Sequence, residues 1–271
     1  MPWPADFSPA LPPILWKGFV LIFGLLIGSF LNVVIARLPH GESVVRPRSR
    51  CPSCGKSIAW CDNIPVLSYL LLSGRCRSCS QKISLRYPVV ELLCALLFLA
   101  VAAKFPPGWL LFIRDWPFVA MLLAVTFIDI DHRTIPDELS IGGLVLGLAT
   151  AWWVPELGLI RAVLGAALGY GIFYAMSWFY LRWKGKIGLG GGDVKLLAMM
   201  GAFLGPLAVL QIVMISSLAG SLIGLSYAFI LQRRGHADSL MGVAIPFGPF
   251  LVIGALYVYL LGDRVGLPLQ L

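Results

Sequence analysis

The feature that most constrains this chain is the recurrence of apolar stretches close to the ~20 residues that an α-helix needs to cross a bilayer core. They fall at 14–36, 88–104, 117–130, 139–154, 158–181, 195–213, 216–231 and 244–261. The spans near 117 and 139 are short for a full crossing and are expected to be tilted, shared with loops or interfacial. Only 13% of the residues are charged and 59% are hydrophobic, whereas a soluble chain carries about 25% charge. The expected fold is an all-α polytopic membrane protein of about eight transmembrane helices, with the bilayer as its first partner.

The basic residues give the orientation. Arg37, Arg46, Arg48, Arg50, Lys56, Arg75, Arg77, Lys82 and Arg86 stand against Glu42 and Asp62 in one loop, which places that loop in the cytoplasm. Alternation then puts the loops 131–138, 182–194 and 232–243 on the same side. Two of them carry Arg182, Lys184, Lys186 and Arg233, Arg234. Lys104, Arg114, Arg161 and Arg264 remain outside, as do both chain ends. The net charge of +8 is therefore read as a topology signal, with no nucleic acid as partner. The opening residues have no basic region and no small-residue cleavage site, so the first apolar segment is expected to stay. Three parts follow: 1–36 as a first transmembrane segment, 37–87 as a cytoplasmic zinc-binding loop, and 88–271 as the membrane-embedded core. No internal repeat is expected.

Within the loop, Cys51-Pro52-Ser53-Cys54 and Cys76-Arg77-Ser78-Cys79 form two CxxC pairs. Each pair can offer two thiolates, and two pairs complete a tetrahedral four-sulfur zinc site. Thiols on the cytoplasmic side stay reduced, which disfavours disulfides, and so short a segment needs a staple to hold a fold. Sulfur at all four positions would leave no open coordination site, so the zinc is expected to be structural. Cys61 and Cys94 are left over.

Gly188-Leu189-Gly190-Gly191-Gly192-Asp193-Val194-Lys195 has the glycines for close backbone approach or positive φ. It lacks the Lys-Ser/Thr of a phosphate loop and the strand context of a dinucleotide loop. What it presents is an acid at the mouth of an apolar helix. Upstream, the third span ends in Asp129, Asp131, His132, Arg133, Asp137 and Glu138. Two segments entering from one membrane face can bring Asp129 and Asp193 together, and paired carboxyls cannot both ionise, so one holds a proton while the other activates water. For Asp129 a helix cap or an ion pair with Arg133 is an equal alternative. Asp131, Asp137 and Glu138 are expected to be solvated or salt-bridged, with Asp137 a further cap candidate. Glu91 is expected to pair with Arg86 at the interface. The competing class is a helical transporter or scaffold whose acids relay protons or ions and whose zinc loop docks a partner. A transporter should show broken helices in related halves, which the sequence does not.

Several segments together resemble the prepilin leader peptidases of type IV pilus and type II secretion systems, members of the GxGD aspartic proteases. They are Gly28-Ser29-Phe30-Leu31-Asn32-Val33-Val34-Ile35, the two CxxC pairs, Asp62-Asn63-Ile64-Pro65-Val66-Leu67-Ser68-Tyr69, Arg86-Tyr87-Pro88-Val89-Val90-Glu91-Leu92, the acidic stretch from Asp129, and Gly190 to Lys195. The resemblance implies that Asp129 and Asp193 are the catalytic pair, choosing Asp129 over Asp131. It implies prepilin or pseudopilin substrates, whose short basic leader is removed at the cytoplasmic face of a bacterial inner membrane. It alone implies N-methylation of the new terminus with S-adenosylmethionine as co-substrate. Gly191 departs from the family pattern, in which a bulkier residue is common.

Overall fold

In a bilayer each apolar stretch must satisfy its own backbone N–H and C=O groups, which favours helix throughout. The computed structural model describes residues 12–185, 188–233 and 246–262, and among these only helices, turns and two isolated bridges occur. Lys186, Arg234, most of the expected 232–243 loop and both chain ends lie outside the described residues. Two compact units divide at Ala124 and Val125.

In the first unit, α1 (Pro13–Arg37) opens with Pro13, whose missing N–H would have had no helical partner. The short α2 (Leu67–Leu71) lies in the cysteine loop, and α3 (Arg86–Lys104) follows it. Small residues four apart bring α1 and α3 together, because a Cβ on Gly24 would lie 2.6 Å from Ala95 Cα and one on Gly28 would lie 2.6 Å from Glu91 Cα. A π-helical turn (Leu111–Asp115) leads into α4 (Trp116–His132). Trp116 stacks on Phe98 at 5.0 Å and donates its indole N–H to the Phe98 carbonyl at 3.2 Å, with Phe23 and Phe112 against the same ring. Arg114, expected in an outer loop, is instead buried in an ion pair with Asp115 at 2.8 Å. Its charge is thus locally neutralised, and the outer side is less basic than the sequence suggested.

The second unit holds the end of α4 with α5 (Asp137–Ala151), α6 (Gly158–Lys184), α7 (Gly191–Leu204), α8 (Pro206–Arg233) and α9 (Gly248–Leu261). Backbone touches backbone between α6 and α7, where a Cβ on Gly165 would collide with the Gly201 carbonyl and one on Gly169 would lie 2.5 Å from the Leu197 carbonyl. Against α5, Phe203 fills the space left open at Gly147.

Five helical segments are long and apolar enough to cross a membrane: 13–40, 86–104, 111–132, 158–184 and 206–224. The others expected as spans are shorter, at 15 residues for α5 and 14 each for α7 and α9. At ~1.5 Å per residue they fall short of the ~30 Å hydrocarbon core. The break expected between 213 and 216 lies instead at Gly205, which takes φ 86°, and α8 runs unbroken through the expected gap. Pro206 explains this, since it cannot donate back into α7 and disfavours helical geometry in the residue before it.

Candidate active site

Both CxxC pairs build the same turn, a repeat that the sequence reading did not find. Cys51 N–H donates to the Lys56 carbonyl and Gly55 N–H to Cys51, each at 2.9 Å; Cys76 with Gln81 and Ser80 with Cys76 repeat both bonds at 2.9 Å. An antiparallel bridge closes each turn, Arg50 with Ser57 and Arg75 with Lys82. The four Sγ atoms of Cys51, Cys54, Cys76 and Cys79 lie within 4.8 Å of one another, and Cys51 and Cys79 are 3.8 Å apart. Tetrahedral zinc with bonds of ~2.3 Å sets neighbouring sulfurs roughly 3.8 Å apart, so the cluster has the size of a four-thiolate metal site. Arg77 grips Asp62 through Nε and Nη2 at 2.7–3.0 Å, tying the second turn to the chain that follows the first.

The loop is anchored beyond the cysteines by Glu91. Its carboxylate accepts from the Val66 N–H at 2.7 Å and from the Ser29 hydroxyl, so two neutral donors hold it where an ion pair with Arg86 was expected. Val66 sits at φ 59°, a conformation that a β-branched residue rarely takes. That strain is the geometry in which its N–H meets a buried acid.

Asp129 lies in the last turn of α4, 5% exposed, and accepts the Gly248 N–H at 2.9 Å. It feels the charge of Arg133, the i+4 residue, whose own N–H closes on the Asp129 carbonyl at 2.9 Å. Asp193 stands in the first turn of α7. Its N–H bonds to Gly190, the N-cap, at 3.1 Å, and its carboxyl accepts from the Gly190 N–H in return, as the acid of a capping box does. Capping alone does not require burial or a second acid. Burial first, and then the negative charge of Asp129, push the Asp193 carboxyl from the usual 3.8 up to about 6. The two carboxyls are thus close enough for each to sense the other's ionisation.

The glycine run serves close approach more than unusual torsion. Gly190 has φ −66°, and Gly191 and Gly192 already belong to the helix. A Cβ on Gly188 would lie 2.6 Å from the Tyr180 ring, and one on Gly192 would lie 2.9 Å from Ile135 Cβ. Gly191 faces open space, so the larger residue common at this position would fit equally well. Asp137 is no cap: Pro136 holds that position, and the Asp137 carboxylate pairs with Lys195 Nζ at 2.7 Å, joining the starts of α5 and α7. The sequence reading gave no role to Lys195 and missed Gly248. The only signal for Gly248 was the run Pro246-Phe247-Gly248-Pro249 at the head of the last span.

Two family models match. Residues 22–105 match the bacterial Peptidase A24 N-terminal domain, and residues 116–225 match the type IV leader peptidase family. A prepilin leader peptidase/N-methyltransferase of Aeromonas hydrophila is 40% identical over 284 residues, covering 93% of each chain. The chain belongs to the type IV leader peptidase family. A second relative of the same name, from Myxococcus xanthus, is 42% identical over 235 residues, covering 86% of this chain and 68% of its own. In Escherichia coli O78:H11 a type 4 prepilin-like proteins leader peptide-processing enzyme is 41% identical, covering 92% of this chain and 93% of its own. No solved structure matches. The four cysteines lie in the first matched region and both aspartates in the second, whereas Gly248 lies beyond it. As a member of this family with several membrane-length helices, the chain is a multi-pass membrane protein.

Proposed function

We propose that this protein is a membrane aspartic endopeptidase that removes the basic leader of prepilins or pseudopilins at the cytoplasmic face of the bacterial inner membrane and N-methylates the new terminus. The observation that carries the peptidase assignment is the pairing of Asp129 with Asp193, two acids from different helices that sense each other in a largely buried setting. Leader removal and methyl transfer are activities that the relatives' names state.

Like-charge repulsion leaves one proton on the pair. The ionised carboxyl takes a proton from water as that water attacks the scissile carbonyl. The protonated carboxyl hydrogen-bonds the carbonyl oxygen and then protonates the departing nitrogen, which restores one proton between the two. The freed amine then attacks the methyl group of S-adenosylmethionine, losing a proton and releasing the thioether. Neither aspartate is needed for that second step. The four cysteines would hold zinc, which supplies a cross-link between the two turns of the loop and leaves no coordination site open for water.

The test is cleavage of a purified prepilin, read by mass spectrometry of the product N-terminus with and without S-adenosylmethionine. Asp129→Asn and Asp193→Asn should each lower cleavage by at least about 10³-fold, and the double variant should be no worse, because residues acting as a unit are not additive. Asp131→Asn, Asp137→Asn and Glu138→Gln should stay within about tenfold of the parent, the range of a group outside the reacting pair. Methyl transfer to a peptide already lacking its leader should survive both aspartate changes. Near-normal cleavage by Asp193→Asn would end the aspartic-protease assignment, and a dead Asp131→Asn beside an active Asp129→Asn would move the pair by one helical position.

A further inference from the structure

Helix α9 begins with an unusual accounting of donors. The first N–H groups of any helix lack intrahelical partners. In α9, Pro249 has no N–H, while the N–H groups of Phe250 and Leu251 both return to the Phe247 carbonyl, at 3.0 and 3.2 Å. This leaves the Gly248 N–H, and it points at Asp129 Oδ2 at 2.9 Å in a buried setting. The same residue leaves room for the acid: a Cβ on Gly248 would lie 2.7 Å from Asp129 Oδ2 and 3.1 Å from Cγ. No other described glycine has an aspartate so close to its open side, the next being Gly190 with Asp193 Oδ2 at 3.4 Å.

We propose that Gly248 is a positioning residue of the peptidase, its N–H fixing the Asp129 carboxylate in one rotamer and its missing side chain giving that carboxylate the space to face Asp193. The proposal rests on the assignment of Asp129 to the catalytic pair. It reaches beyond the region matched to the leader peptidase family, which ends at 225. A carboxylate that has lost its donor and met a methyl group turns away, and a misplacement of about 1 Å in a reacting group costs about 10²-fold in rate. The substrate does not touch Gly248 in this arrangement, so its binding is unaffected.

The test uses the full-length protein in nanodiscs, with steady-state cleavage of a prepilin by Gly248→Ala, Gly254→Ala and Asp129→Asn. Gly254 is the control for packing, being on the same helix with its open side 3.1 Å from the Ile212 carbonyl and no acid in contact. Gly248→Ala should lower kcat about 10²-fold with KM changed less than about threefold, whereas Gly254→Ala should lower the unfolding midpoint and keep kcat. Replacing the Gly248 amide by an ester, which removes the N–H and adds no side chain, should lower kcat about tenfold, the weight of one hydrogen bond to a charged group. Unchanged kcat in Gly248→Ala beside a dead Asp129→Asn would overturn the proposal. If Gly248→Ala fails to accumulate in the membrane, the ester decides, and an ester with parental kcat overturns it. Full turnover by Asp129→Asn would instead remove the catalytic pair on which the proposal stands.

Discussion

Asp193 carries an electrostatic cost that can be measured apart from catalysis. A rise from 3.8 to about 6 disfavours its ionised form in the folded protein by on the order of 3 kcal/mol. The sign follows from linkage. The folded state holds this proton more tightly than the unfolded state, so the contribution is most favourable below about pH 4 and is lost as the pH rises through about 6. Asp193→Asn should therefore unfold at a higher temperature than the parent at pH 7.5, and the difference should vanish near pH 4, as thermal unfolding in detergent across this range would read. A parent that is more stable than Asp193→Asn at pH 7.5 would contradict the burial of this carboxyl. Of the acids at this face, Asp193 was legible because a glycine run is not what a cap alone requires. The partnership of Asp137 with Lys195 was not, since residues 58 apart in sequence carry no local signal of their contact. Gly248 was hidden for a similar reason: what it contributes is a backbone N–H, which every residue but proline has.

At the scale of elements, most helices were legible because apolar length and loop charge are one-dimensional properties. The exception is the stretch from 195 to 231, where hydrophobicity continues across Gly205-Pro206 and only backbone geometry breaks it. Strong apolarity on both sides concealed the boundary, although Pro206 stood in plain view. Packing between helices was equally hidden, since a glycine in a membrane helix looks the same whether it faces lipid or another backbone. Gly165 and Gly171 make the contrast testable. Both lie in α6, but a Cβ at Gly165 would enter the Gly201 carbonyl, whereas at Gly171 it would meet open space. Gly165→Ala should destabilise by at least about 2 kcal/mol, the cost of forcing apart a close-packed contact, and lower cleavage with it. Gly171→Ala should be neutral or slightly stabilising, as alanine favours helix over glycine. Equal unfolding midpoints for the two would show that α6 and α7 lie further apart than their backbones indicate.

For the molecule as a whole, the cysteine loop behaves as a small domain whose stability depends on its metal. Protein kept reduced and away from chelators should contain about one zinc per chain, by metal analysis, and Cys51→Ser or Cys76→Ser should lose it. Removal of the metal should speed proteolytic nicking between Arg37 and Arg86 by tenfold or more, an order typical of losing a structural metal, while the helices stay protected. Single cysteines at Ser57 and Lys184 in an otherwise cysteine-free chain should react only with reagents that reach the cytoplasm, as the arginine and lysine bias requires. The seam between α6 and α7 adds a constraint on traffic. A pilin precursor arrives as a helix already dissolved in the lipid, so it must slip in sideways between two of the enzyme's own helices. Where Gly165 meets Gly201, backbone lies on backbone with no side chains to swing aside, and parting the two would expose main chain to hydrocarbon. That seam is a hinge post, and the door has to hang elsewhere.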